Sequence, residues 1–188
     1  DKMEELNPED VMNKMEQLKM NDEDIKKSLE RTLELFKQME VDQKADEIRN
    51  KLDNMKAKQD VLNEQLDNAE TPEDLENLSD RQDDINEQMD DVKEDLEELG
   101  DMKDDTEPPD ESELDVWLEV ADEAQEKMDE ASEEMQEAAE KMEDGGRKEK
   151  KEAQQMQQKA GEQQKGASQK MQEMSEQLSQ MQMNMQQQ

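Results

Sequence analysis

The sequence predicts an all-α protein made of elongated antiparallel helical hairpins with coiled-coil seams, and three observations carry that prediction. The first is composition: of 188 residues only 29% are apolar and 44% are charged, and the aromatic side chains are Phe36 and Trp117 alone. That is too little apolar matter for a layered sheet core, which relies on large rings, but it is enough for narrow helical seams. The second is that the apolar minority recurs in steps of three and four. The third is that turn residues stand between the stripes.

Spacing is most regular over residues 43–100, read as a first hairpin. Ala45, Ile48, Leu52, Met55, Gln59, Leu62, Leu66 and Ala69 occupy a and d positions of one helix. Thr71, Pro72, Glu73 and Asp74 then supply an N-cap, a proline at the first helical position and an acidic partner three residues after the cap. A second helix follows with Leu75, Leu78, Gln82, Ile85, Met89, Val92, Leu96 and Leu99, and Gly100 stands where a helix C-terminus favours positive φ. A turn near 70–72 forces the pair antiparallel, setting Ala69 against Leu75, Met55 against Met89 and Ala45 against Leu99. Gln59 and Gln82 then lie in adjacent layers of opposite helices. They are either an amide pair that fixes register or two weak layers.

Residues 101–111, DMKDDTEPPDE, read as an acidic linker with two prolines, after which Asp110 and Glu113 cap the next helix. Residues 112–188 form a second hairpin with its turn near 144–147, at Gly145 and Gly146. Its first arm carries Leu114, Trp117, Ala121, Ala124, Met128, Ala131, Met135, Ala138 and Met142. The second carries Ala153, Met156, Ala160, Gln163, Ala167, Met171, Met174, Leu178, Met181 and Met185, with a stutter between Ala167 and Met171. Folding this hairpin sets Ala138 on Ala153, Ala131 on Ala160 and Ala124 on Ala167, layers that bring helices toward the ~8 Å limit of interaxial distance. Trp117 meets Met174 and Leu114 meets Leu178 toward the open end. Whether the two hairpins pack into a bundle or extend end to end is left open.

Residues 1–42 predict an irregular helical segment. Asn7, Pro8 and Asp10 start a short helix bearing Val11, Met15 and Leu18, and the run NDED starts another bearing Ile25, Leu29, Leu33, Phe36 and Met39. With Met12, Thr32 and Leu35 these stripes are wider than a two-helix seam requires, wide enough to support self-association. The stripe changes phase near Val41 and Asp42, which predicts a kink or short break there.

Charge narrows the function classes. A formal net charge of -34 opposes a phosphate backbone, so nucleic acid is excluded as a partner, and an anionic membrane surface is disfavoured. The charge is also patterned: residues 72–100 hold 13 acids and 2 bases and residues 113–143 the same, whereas 43–69 hold 6 and 5, and 147–188 hold 5 and 7. Each acidic arm is thus joined to a nearly neutral one, which limits repulsion within a hairpin. No stretch approaches the ~20 apolar residues of a membrane span. Starting at Asp1 and ending in three glutamines, the chain reads as a piece of a longer protein.

Chemistry has few footholds. With no Cys and no His, thiolate and imidazole chemistry are absent, and there is no Gly-rich phosphate loop or nucleophile elbow, so no catalytic residue is assigned and no enzyme is expected. Met171 with Met174, and Met181 with Met183 and Met185, have spacing suited to Cu(I), but all except Met183 lie on the seam, where packing accounts for them. Acidic runs such as EDGGRKE lack the ligand order of an EF-hand, so no metal or cofactor site is assigned. Three classes remain: a structural or scaffolding module that spaces or links other proteins, a holdase chaperone, and an acidic surface for a basic partner. The polar hairpin tips NAETPED and MEDGGRK argue against the holdase, whose arms need apolar surface for clients.

The run LNPEDVMNKMEQLKMNDEDIKKSLERTLELFKQMEV, the acidic repeats after it, and the late stretch KKEAQQMQQKAGEQQKGASQKMQEMSEQLSQMQMNMQQQ resemble the coiled-coil region of a family of large Bacteroidetes proteins known as domain of unknown function 4175. The likeness spans nearly the whole chain, and SLERTLELFKQMEV is its most specific part. The resemblance implies a protein held in the inner membrane by N-terminal spans, with this helical portion on the extracytoplasmic side. It brings no activity and no functional residue.

Overall fold

The computed structural model describes residues 8–104 and 111–185. They form four α-helices, α1 (Pro8–Leu66), α2 (Pro72–Asp104), α3 (Glu111–Asp144) and α4 (Arg147–Met185), with no strand among the described residues. The all-α expectation is therefore met. The chain divides into two compact units, Asp1–Glu40 and Val41–Gln188, and α1 supplies residues to both.

In the unit Val41–Gln188 the helices pack as an antiparallel bundle. Between α1 and α2, Lys44 bonds Asp95 at 2.8 Å and Glu98, and Lys58 bonds Gln88 at 2.6 Å. Ser79 meets Ser132 at 2.8 Å across α2 and α3, and Lys141 pairs with Glu152 at 3.3 Å across α3 and α4. The ring closes between α4 and α1, where Ser168 donates to Asp60 at 2.9 Å and Ser175 to Asp53 at 3.2 Å. The two hairpins thus lie side by side, the alternative that seam spacing left open.

The seam positions form the core. Ala45 through Leu66, Leu75 through Leu99, and Trp117 through Ala138 are buried at a and d spacing, with Ala69, Leu114 and Met142 half-buried at the ends. On α4 the glutamine buried at this level of the seam is Gln164, whereas Gln163 is only half-buried and bonds outward to Glu130. The stutter therefore falls one heptad earlier than the spacing predicts, between Ala160 and Gln164 rather than between Ala167 and Met171. Two consecutive steps of four are needed in either position. The packing across α2 selects the one that brings an amide to Gln82.

Turns follow local chemistry. Thr71 and Asp74 make a reciprocal capping box, with Asp74 N donating to Thr71 Oγ1 at 3.1 Å and Thr71 N to Asp74 Oδ2 at 3.0 Å. Hydrogen bonds donated to the Asp74 carboxylate by the Thr71 hydroxyl and by the backbone N–H groups of Thr71 and Glu70 hold it below its ordinary range. Gly145 turns the chain from α3 to α4 at φ 72, a conformation other residues rarely adopt, and Lys150 N bonds Gly146 O at 3.0 Å to open α4.

Three expectations are corrected. α1 runs unbroken through NDED and through Val41 and Asp42, so neither the separate helix start at NDED nor an interruption of the helix near Val41 is present. A stripe that changes phase moves to another face of a helix without interrupting its hydrogen bonds, and this stretch holds neither Gly nor Pro. Gly100 is not a helix terminus: α2 continues to Asp104, into the segment read as linker, and a Cβ at Gly100 would come within 2.6 Å of Leu114 Cδ2. Glycine serves there for close approach to α3 rather than for a turn. The prolines and Asp110 of the linker lie outside the described residues.

Candidate functional site: a buried glutamine layer and flanking ladders

Midway along the bundle the apolar layers are interrupted by amides. Gln59 on α1 and Gln82 on α2 exchange two hydrogen bonds, each 2.7 Å, and both are fully buried. This is the register-fixing pair, not two weak layers. Gln164 of α4 adds a third amide, its Nε2 donating to Gln82 Oε1 at 3.1 Å and lying 3.9 Å from Met135 Sδ of α3. All four helices therefore contribute to one polar layer, in which Gln164 Oε1 is buried without a hydrogen-bond partner. Sliding any helix by one turn would break these bonds and leave amides in an apolar core, which gives the layer its hold on register.

The contact between hairpins uses a second stripe, immediately C-terminal to seam residues. On α4, Ser168, Ser175 and Gln182 follow Ala167, Met174 and Met181; on α1, Asp46, Asp53 and Asp60 follow Ala45, Leu52 and Gln59. They pair as a ladder: Ser168 with Asp60, Ser175 with Asp53, and Gln182 Nε2 with Asp46 Oδ1 at 3.0 Å and with the Asp42 carbonyl at 2.9 Å. On α2 and α3 the corresponding positions place Ser79 against Ser132, and Ser132 Oγ donates to Asp83 at 2.6 Å. Gln157 completes the α4 edge by donating to the carbonyls of Leu66 and, at 3.3 Å, Ala69, capping the end of α1. None of the side chains of this ladder was assigned a contact from the sequence. Their heptad recurrence beside the seam is the signal that finds them.

The ring order has an electrostatic consequence. The two arms with 13 acids and 2 bases each, in α2 and α3, are neighbours, as are the two nearly neutral arms in α1 and α4. Relief at the acidic contact comes from Lys93, paired with Asp122 and bonded to Gln125, and from Gln125 donating to Asp90 at 2.8 Å. Between α1 and α2, burial acts to raise the Asp95 carboxyl, but hydrogen bonds and charge from Lys44 and Lys51 outweigh it and hold the group below its ordinary range. Asp42 is shifted the other way, upward, by burial and by the neighbouring Asp46 charge.

The methionines considered for soft-metal binding are accounted for by position: Met171, Met174 and Met181 are buried in the core, Met185 is half-buried, and Met183 is exposed. Among the described residues no group of three or more acidic side chains is placed to hold a metal ion, and no helix is long and apolar enough to cross a membrane.

In the unit Asp1–Glu40 the pattern is inverted. Ile25, Leu29, Thr32, Phe36 and Met39 follow the same a and d spacing, with Leu33 and Leu35 on either flank, yet the apolar members are 58 to 65% exposed. No family model matches the chain, and no curated protein or solved structure is significantly similar to it.

Proposed function

We propose that the chain is a non-catalytic structural module of a larger, membrane-anchored envelope protein, one that spaces or links other proteins through helical surfaces. The observation that carries this reading is the division between the two sets of apolar side chains. Those of the bundle are consumed in packing, down to amides that hold register, whereas Ile25, Leu29, Leu33, Leu35, Phe36 and Met39 face outward. An exposed contiguous apolar stripe of this kind marks an interaction surface. The resemblance to the family of unknown function supports the extracytoplasmic setting.

A second reading is an acidic surface for a basic protein, favoured by the side-by-side placement of α2 and α3, each strongly acidic. Binding of that kind would weaken steeply with added salt, whereas docking on the apolar stripe would not.

Crosslinking with mass spectrometry on the full-length protein in its native envelope tests both. Links from Lys44 or Lys51 to Lys93 and from Lys127 to Lys170, together with recurrent links from Lys26, Lys27 or Lys37 to one protein species, are the expected result. Links scattered over many unrelated proteins would instead identify a holdase.

A further inference from the structure

We propose that the exposed stripe Ile25–Met39 is a coiled-coil seam that docks on the same stripe of a second copy of this chain. The inference rests on the reading of the chain as an interaction module and names its partner. Three observations point to a second copy rather than to another occupant.

The spacing is that of a seam. Steps of four and three lead from Ile25 through Leu29, Thr32 and Phe36 to Met39, the a and d pattern by which this chain joins its own helices elsewhere. Leu33 and Leu35 stand immediately beside it, at the positions that widen a seam and thicken the buried layer. α1 is continuous here, so the stripe is already laid out along one face of a helix.

The charge suits identical partners. Residues 19–40 carry six acids and five bases, net -1, while the whole chain carries -34. Two copies meeting through this segment bring together almost no net charge, whereas contact through α2 or α3 would set two strongly acidic surfaces face to face. The same neutrality argues against a basic protein, which the acidic helices would attract instead, and against an anionic lipid surface, which needs a basic stripe.

The helix is long enough for a weak seam. From Pro8 to Glu40 α1 runs for more than four heptads, about 50 Å at 1.5 Å per residue, and the exposed stripe Ile25–Met39 occupies about two of them, a short seam whose association is expected only from micromolar concentrations upward.

Sedimentation equilibrium of the full chain between about 1 and 200 μM, concentrations that bracket the micromolar affinities of modest helical seams, reads the association directly. The expected result is a concentration-dependent shift from 22.0 kDa toward twice that mass. Leu29→Glu with Phe36→Glu places unpaired charge in the seam and raises the dissociation constant at least about 100-fold, with circular dichroism unchanged because both side chains are exposed within the protomer. Val61→Glu, at an exposed apolar position in the other unit, leaves association as it was. A chain that stays at 22.0 kDa throughout, or a double variant that associates as the parent does, overturns the homotypic seam. Recurrent envelope crosslinks to a different protein through Lys26, Lys27 or Lys37 would then leave the module reading standing with another partner.

Discussion

Leu29 and Leu52 lie on the same helix, each at an a or d position of its own stripe, yet Leu29 is 65% exposed and Leu52 fully buried. The difference teaches what seam spacing determines and what it does not. A three-and-four pattern states that one face of a helix is apolar; whether that face is covered depends on another helix being within reach. In the unit Val41–Gln188 the Thr71 and Gly145 turns return the chain to cover it. In the unit Asp1–Glu40 the face is left exposed, and we assign its cover to a second copy.

The sharpest way to break this comparison is truncation at the two leucines. Leu52→Ala removes packing from a closed core and should destabilise the bundle by about 2–5 kcal/mol, while Leu29→Ala, below the concentration of association, should change its stability by less than about 0.5 kcal/mol. Thermal melts of both variants decide it: equal losses would mean that the exposed stripe is part of the same cooperative core.

Within the bundle, the glutamine layer is next in expected effect. Gln82→Leu leaves Gln59 and Gln164 without their shared partner and should cost about 1–3 kcal/mol, measured by denaturant unfolding. Replacing Gln59, Gln82 and Gln164 together with leucine should restore or exceed the original stability. A triple variant as weak as the single one would show that the amides contribute through something other than mutual satisfaction.

Ala131→Leu or Ala160→Leu should destabilise the bundle by about 1–3 kcal/mol through overpacking, against less than about 1.5 kcal/mol for the volume-conserving Met135→Leu. Equal midpoints for the three would remove the close Ala layers as a feature of the α3 and α4 contact.

Smaller effects come from charge. The Asp95 carboxyl lies below its ordinary value in the folded state, so its stabilisation is present above 3.8, the unfolded value, and is lost as pH falls through the lower folded one. Asp95→Asn should therefore lower the melting temperature at neutral pH, by the equivalent of about 1 kcal/mol or less, with the deficit gone in strong acid. Asp42 carries the opposite sign: its raised folded value means that stability grows as pH falls through it toward 3.8, so Asp42→Asn should raise the neutral-pH midpoint slightly. Added salt should raise the melting temperature of the parent chain, because α2 and α3 are packed together with 13 acids against 2 bases in each acidic arm. A midpoint that falls with salt would show that the lysine bridges from Lys44, Lys93 and Lys170 outweigh that repulsion.

Much of the fold was legible in the residues themselves. The helical class, the seam positions and the turns at Thr71 and Gly145 follow from spacing and capping chemistry, which are local and therefore written in consecutive residues. Gln59 and Gln82 could be placed in adjacent layers because a short turn fixes the register of the helices it joins. Gly100 was misread and Gln163 taken for the seam position in place of Gln164 for one reason: each site answers to a residue on another helix, Leu114 for the glycine and Gln82 for the amide. At Val41 the change of phase moves the stripe to another face while the helix continues without a break.

By itself the sequence determined that this chain is helical, where its apolar seams run, and that its charge is gathered into two arms; those properties depend on spacing and composition alone. Only the tertiary structure decided which arms are neighbours. Closing the ring with α4 on α1 sets the Ser and Gln ladder against Asp46, Asp53 and Asp60, and in doing so sets the two acidic helices side by side. Burying four seams in one core outweighs a charge repulsion that water and lysine bridges reduce, so the hydrophobic term chooses the neighbours and electrostatics adjusts to that choice.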